Sequence, residues 1–104
     1  MDLARDCYVA TDAFESRERF GLTDQIRRSA VSVPSNIAEG CGRGTPKEFA
    51  RFLRIAYGSA CELGTQLQLS HEIKLGNSAE IVPLLEEAER VRRMLSALIT
   101  SVVS

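Results

Sequence analysis

Residues 26–44 read IRRSAVSVPSNIAEGCGRG, and the apolar members Ile26, Ala30, Val33 and Ile37 recur at steps of four, three and four. That spacing places them on one stripe of a helix, and such a stripe needs a core to face. The same span holds Arg27, Arg28, Ser32, Ser35, Asn36 and Glu39, with Pro34 in its middle and Gly40, Gly42 and Gly44 closing it. Pro34 withdraws a backbone donor and presses on the carbonyl of Ala30, at a cost of about 3 kcal/mol in a helix interior. The polar residues around it are expected to offset that cost.

Working outward, the same rhythm recurs along the chain. Leu3, Cys7, Ala10 and Phe14 predict a first helix over 3–17, stopped by Gly21, with Asp2 and Asp6 favourably near its start. The central stretch then predicts a second helix over 23–40. Thr45-Pro46-Lys47-Glu48 is a strong start signal: Thr at the cap, Pro at the first helical position, and Glu placed to bond back to the cap's amide. Phe49, Leu53, Ala56, Ala60, Leu63 and Leu67 carry a third helix over 46–73. Gly58 and Gly64 lie inside it, each costing up to ~1 kcal/mol against Ala, and close approach of a neighbouring helix is the expected return. After the turn at Gly76-Asn77-Ser78, Leu84, Ala88, Val91, Leu95, Leu98 and Val102 predict a fourth helix over 80–102. Pro83 is expected to mark where its regular part begins, and Glu86 with Arg90, and Glu89 with Arg93, stand four apart in the favourable order.

Short connections and a shared four-three apolar repeat predict one all-α domain over residues 1–104, an antiparallel up-down four-helix bundle. Val31 and Ala38 lie off the main stripe of the second helix, and Phe52 and Ile55 off that of the third. A lone bundle needs one buried face per helix, so this surplus predicts self-association.

The 104 residues are 44% hydrophobic but only 6% aromatic, with no Trp, so the core must be aliphatic and alanine-rich. Thirteen Lys and Arg against fourteen Asp and Glu give a formal charge of −1, so any nucleic-acid site has to be a local patch. Cys7, Cys41 and Cys61 show no ligand spacing, which favours buried free thiols over a disulfide or a metal site and implies no cofactor. MDLARD at the start carries acids and no apolar run, and no stretch approaches the ~18 apolar residues of a membrane helix. A soluble cytoplasmic protein without a membrane partner is the expectation.

QIRRSAVSVPSNIAEGCGR (25–43) followed by FARFLRIAYGSACELGTQLQLS (49–70) resembles the small bacterial four-helix-bundle family of ribosomal protein S23, or proteins encoded by intervening sequences of large-subunit ribosomal RNA. That family includes the accessory variability determinant of diversity-generating retroelements. The resemblance runs from about Ala4 to about Ile99, with SVPSNIAEG its most specific part. It implies a homopentamer, and its best understood branch binds RNA or DNA and a reverse transcriptase through basic surfaces.

Two sets of residues are candidates for function. Arg27, Arg28, Ser35, Asn36, Glu39 and Glu62 read as a structural polar network in which Glu39 or Glu62 pairs with an arginine between helices or subunits, and Ser35 and Asn36 serve carbonyls around Pro34. Pore lining or ligand contact is the functional alternative. Arg43, Lys47, Arg51 and Arg54 form the second set. Between Gln25 and Arg54 six cations, these four with Arg27 and Arg28, face only Glu39 and Glu48. Lys47, Arg51 and Arg54 share a helical stripe that a phosphate backbone could follow, or that water alone could cover, and no aromatic interleaves it.

Neither catalysis nor a metal site is indicated. Ser29, Ser32 and Ser59 have no His or Lys at activating spacing, and His71 suits a helix C-terminus better than acid-base work. Gly40-Cys-Gly-Arg-Gly44 lacks the order of a phosphate loop. The expected function is a non-enzymatic oligomeric accessory protein that binds structured RNA or DNA through Arg43, Lys47, Arg51 and Arg54, beside a reverse transcriptase or ribosomal RNA. A protein–protein scaffold with no nucleic-acid role is the alternative.

Overall fold

The computed structural model describes residues 2–12, 14 and 21–104, with Asp2 by its backbone alone. Four helices follow one another: α1 (Asp2–Thr11), α2 (Leu22–Gly42), α3 (Pro46–Glu72) and α4 (Ser78–Val103). Among the described residues α1 packs on α2 and α4, α2 on α3, and α3 on α4, while the backbones of the diagonal pairs stay apart. Neighbours in the chain are thus neighbours in space, as in the up-down bundle. The 27 residues of α3 rise about 40 Å and account for most of the 43 Å long dimension.

Helix ends depart from the sequence reading where a contact outside the local chain intervenes. α1 stops at Thr11, short of residue 17. The Asp12 amide is shared between the carbonyls of Tyr8 and Val9, and Phe14 N–H then closes a turn onto Thr11 O at 3.0 Å, tucking Phe14 into the core. Residues 15–17 of the predicted helix lie outside the described residues. α2 runs two residues past Gly40, and the Arg43 amide closes its end onto the Gly40 carbonyl. α4 begins at Ser78 because the Asn77 side chain accepts from Ala79 N–H at 2.9 Å, so Pro83 lies inside a helix already capped. Pro34 likewise stays inside α2.

The core has two unequal parts. At one end all four helices contribute: Leu3, Cys7 and Ala10 of α1 meet Ile26, Ala30, Leu63, Leu67, Ile81 and Leu84. At the other, Val33, Leu53, Ala56, Ala60 and Leu95 come from α2, α3 and α4 alone. α1, ten residues long, reaches about 15 Å and leaves that end as three helices among the described residues. There Ile37, Phe49, Leu98, Ile99 and Val102 are only partly buried. Val31 and Ile55 are exposed on the outer surface, at 40% and 42%. Phe52, grouped with them by sequence, is only 8% exposed, for a reason given below.

Two glycines are fixed by close approach. A Cβ on Gly40 would stand 2.9 Å from Phe52 Cβ, and one on Gly76 would stand 2.4 Å from the Phe14 ring, at a residue whose φ is already +84°. Gly58 and Gly64 correct the sequence reading: among the described residues nothing lies within 4 Å of a Cβ built on either, so neither is held by close approach of another described helix. Gly40→Ala should therefore lose about 1–3 kcal/mol by overpacking, and Gly58→Ala should gain up to about 1 kcal/mol of helix propensity, both read by urea denaturation. A loss at Gly58 would mean that another chain packs on that face.

The thiols differ as their burial does. Cys7 is fully buried and Cys41 exposed; burial first, then the nearby carboxylates of Glu87 and Asp6, pushes the Cys7 thiol up to about 12. The thiolate is the reactive form. A thiol reagent at pH 8 should label Cys41 in the native protein and Cys7 only on unfolding; native labelling of Cys7 at the Cys41 rate would contradict this packing.

Candidate nucleic-acid interface

The α2–α3 elbow is built by local chemistry. Gly44 takes φ +82°, Thr45 is extended and its hydroxyl accepts from Glu48 N–H at 3.2 Å, and Pro46 opens α3. Only half of the expected reciprocal cap forms: the Glu48 carboxylate turns to Arg51, accepting from Nε at 2.8 Å and Nη2 at 3.5 Å. A charged guanidinium one turn along outcompetes a neutral amide. That bond is also the main reason the Glu48 carboxyl is held below its usual range.

Gly40 brings the Phe52 ring against the end of α2, and two of the four predicted cations gather on it. The Arg51 guanidinium lies 4.4 Å and the Arg43 guanidinium 5.1 Å from the ring centroid, distances at which a cation is drawn to an aromatic face. Arg43 also pairs with Glu39 at 2.9 Å within α2. Lys47 and Arg54 are exposed on α3. An aromatic therefore lies beneath the stripe, covered by guanidiniums, and Arg43's part in covering it was hidden from sequence because it reaches the ring across the elbow.

The structural polar set divides in three. Arg27 staples α1 to α2: Nε donates to Thr11 Oγ1 at 2.8 Å, Nη2 to the Tyr8 carbonyl at 3.3 Å, and the guanidinium lies 4.7 Å from the Tyr8 ring centroid. Along the α2–α3 seam, Ser29 donates to Glu62 Oε1 at 2.8 Å, Ser32 and Ser59 hydroxyls meet at 2.7 Å, and Asn36 Nδ2 donates to the Ser32 carbonyl at 2.8 Å. Glu39 and Arg28 pair within α2, Arg28 with Asp24 at 4.0 Å, and Ser35 is exposed. Among the described residues neither carboxylate joins an arginine of another helix: Glu62 accepts from Ser29 and Glu39 pairs with Arg43, one turn along.

Ser29, Ser32 and Ser59, which the sequence showed only to lack an activating His or Lys, belong to the seam, and the matching three-residue steps Ser29–Ser32 and Ser59–Glu62 were the available signal. A further link joins α3 to α4. Arg92 clasps Glu89 and donates to Tyr57 Oη at 3.2 Å, while Arg93 reaches the same carboxylate at 3.1 Å. These bonds, Arg92's first, hold Glu89 down to about 2. Among the described residues no three His, Cys, Asp or Glu side chains converge as a metal site, and no helix is long and apolar enough to cross a membrane.

A crystal structure of a Bacteroides thetaiotaomicron protein of unknown function, from the S23 ribosomal protein family, has the same fold: TM-score 0.78 at 20% identity, covering 94% of this chain and 95% of that one. No curated protein matches the chain. The family model of the 23S rRNA-intervening sequence protein matches residues 1–97. With that match covering α1 to α3 and most of α4, the chain belongs to the 23S rRNA-intervening sequence protein family.

Proposed function

We propose that the protein is a non-enzymatic, self-associating accessory factor that binds structured RNA or DNA at the α2–α3 elbow. The observation that carries this is the pair of guanidiniums held over Phe52, with Lys47 and Arg54 exposed beside them. Seating on the ring fixes two rotamer-rich side chains before a ligand arrives, which lowers the ordering cost of binding. The family's description, a protein of 23S rRNA intervening sequences, agrees with a nucleic-acid role, and the resemblance suggests ribosomal RNA or a reverse transcriptase as its companion in the cytoplasm.

Self-association rests on different residues. Ile37, Phe49, Leu98, Ile99 and Val102 are partly buried where only three helices meet, and Val31 and Ile55 stand exposed. Copies of the chain that cover this surface would bring several elbows together; the resemblance implies five. The same surface supports a second reading, a protein–protein scaffold whose elbow is merely solvated.

Glu39 and Glu48 temper the elbow, so affinity should be modest and salt-sensitive. In filter binding with a structured RNA at ~50 mM salt, Lys47→Glu with Arg51→Glu should weaken retention at least ~10-fold, and affinity of the native protein should fall steeply toward ~200 mM salt. No retention of native protein at the lower salt would leave the scaffold.

A further inference from the structure

Resting on the reading that the elbow binds nucleic acid, we infer that it takes the double-helical stem of a folded RNA or DNA by its phosphate backbone, and not the unstacked bases of a loop or single strand. Phe52 is the aromatic nearest the cations, and it is 8% exposed under the guanidiniums of Arg43 and Arg51. The face of that ring is taken by the guanidiniums. Phe49 is partly buried and lines a hollow with Gly40, Thr45 and Val102 on the apolar three-helix end, two residues and so about 200° round the helix from Lys47, and Tyr57 is engaged by Arg92 of α4. Sites for single strands depend on bases stacking on aromatic faces, and sequence-specific RNA sites splay bases onto the same kind of platform. The cation stripe offers none.

What it does offer is a line of cations. Lys47, Arg51 and Arg54 climb α3 in steps of about 6 Å and about 4.5 Å, and Arg43 precedes them across the elbow. Two carboxylates hold one edge of two of the guanidiniums, Glu39 on Arg43 and Glu48 on Arg51. Four cations against two anions make a weak attractor, which favours the ligand of greatest charge density. A duplex carries phosphates on both strands and releases more counterions per contact than a single strand, about 0.9 against about 0.7. The array therefore selects charge density and shape, with no donor–acceptor pattern for reading bases.

Fluorescence anisotropy with the full chain at ~50 mM salt tests this, using an RNA duplex of about 20 base pairs and an oligouridine of about 20 nucleotides. The duplex should bind at least ~10-fold more tightly, and Phe52→Leu, which keeps a Cβ against Gly40 and removes the ring that seats the arginines, should weaken both ligands by a similar factor in a protein whose helical circular dichroism is unchanged. Oligouridine binding as tightly as the duplex, or losing affinity selectively in Phe52→Leu, would overturn the inference. If that single-strand binding still vanished in Lys47→Glu with Arg51→Glu, the elbow would stand as the nucleic-acid site and only the preference for duplex would fall. If neither ligand bound, both would fall.

Discussion

Helix length is the constraint on which the rest of this structure depends. α3 and α4 run 27 and 26 residues, α2 runs 21, and α1 only ten. A four-helix core is sealed only where four helices overlap, so one end closes around Leu3 and Cys7 while the other presents partly buried Ile37, Phe49, Leu98 and Val102. The elbow with its cations sits at that same end, since Phe49 and Val102 line one hollow with Gly40 and Thr45. Partly buried apolar surface and the elbow's cations are thus neighbours, so under the proposed function a copy of the chain covering the first would set how the second is presented.

The α2–α3 seam holds this arrangement in register. Its inner face is small and apolar, Ala30, Val33, Ala56 and Ala60, which lets the helices approach closely. Its outer edge is polar, and each hydrogen bond there has a partner at one height only: Ser29 with Glu62, Ser32 with Ser59. Sliding the helices by a turn would break both at once. Such bonds add roughly 1 kcal/mol each in net stability, so their larger effect is to fix which residues face each other, and hence to deliver Gly40 to Phe52 and Arg43 to the ring.

Much of this was legible from the chain because it is decided locally. The apolar stripes, the Thr45–Pro46 start and the Gly76 turn each need only a few neighbours, and all appear where the spacing puts them. What sequence concealed depends on partners distant in the chain or on competition between near ones. α1 ends early because Phe14 turns inward beneath Gly76, 62 positions later in the chain. Glu48 had two possible donors, the Thr45 amide and Arg51, and the charged one won. Phe52 reads as surplus apolar surface until the elbow folds Arg43 onto it. Pro83 looked like the start of the regular fourth helix, yet the Asn77 cap ahead of it lets α4 begin at Ser78, whereas Pro34 lies inside α2 as its place in the apolar stripe implied.

The proposed self-association turns on whether copies of the chain cover the end of the core where, among the described residues, only three helices meet. Sedimentation equilibrium at micromolar concentration measures this directly. A mass several times 11.4 kDa, falling when Ile37 and Leu98 are replaced by charged residues, is the expected result. A single 11.4 kDa species across that range would contradict the account.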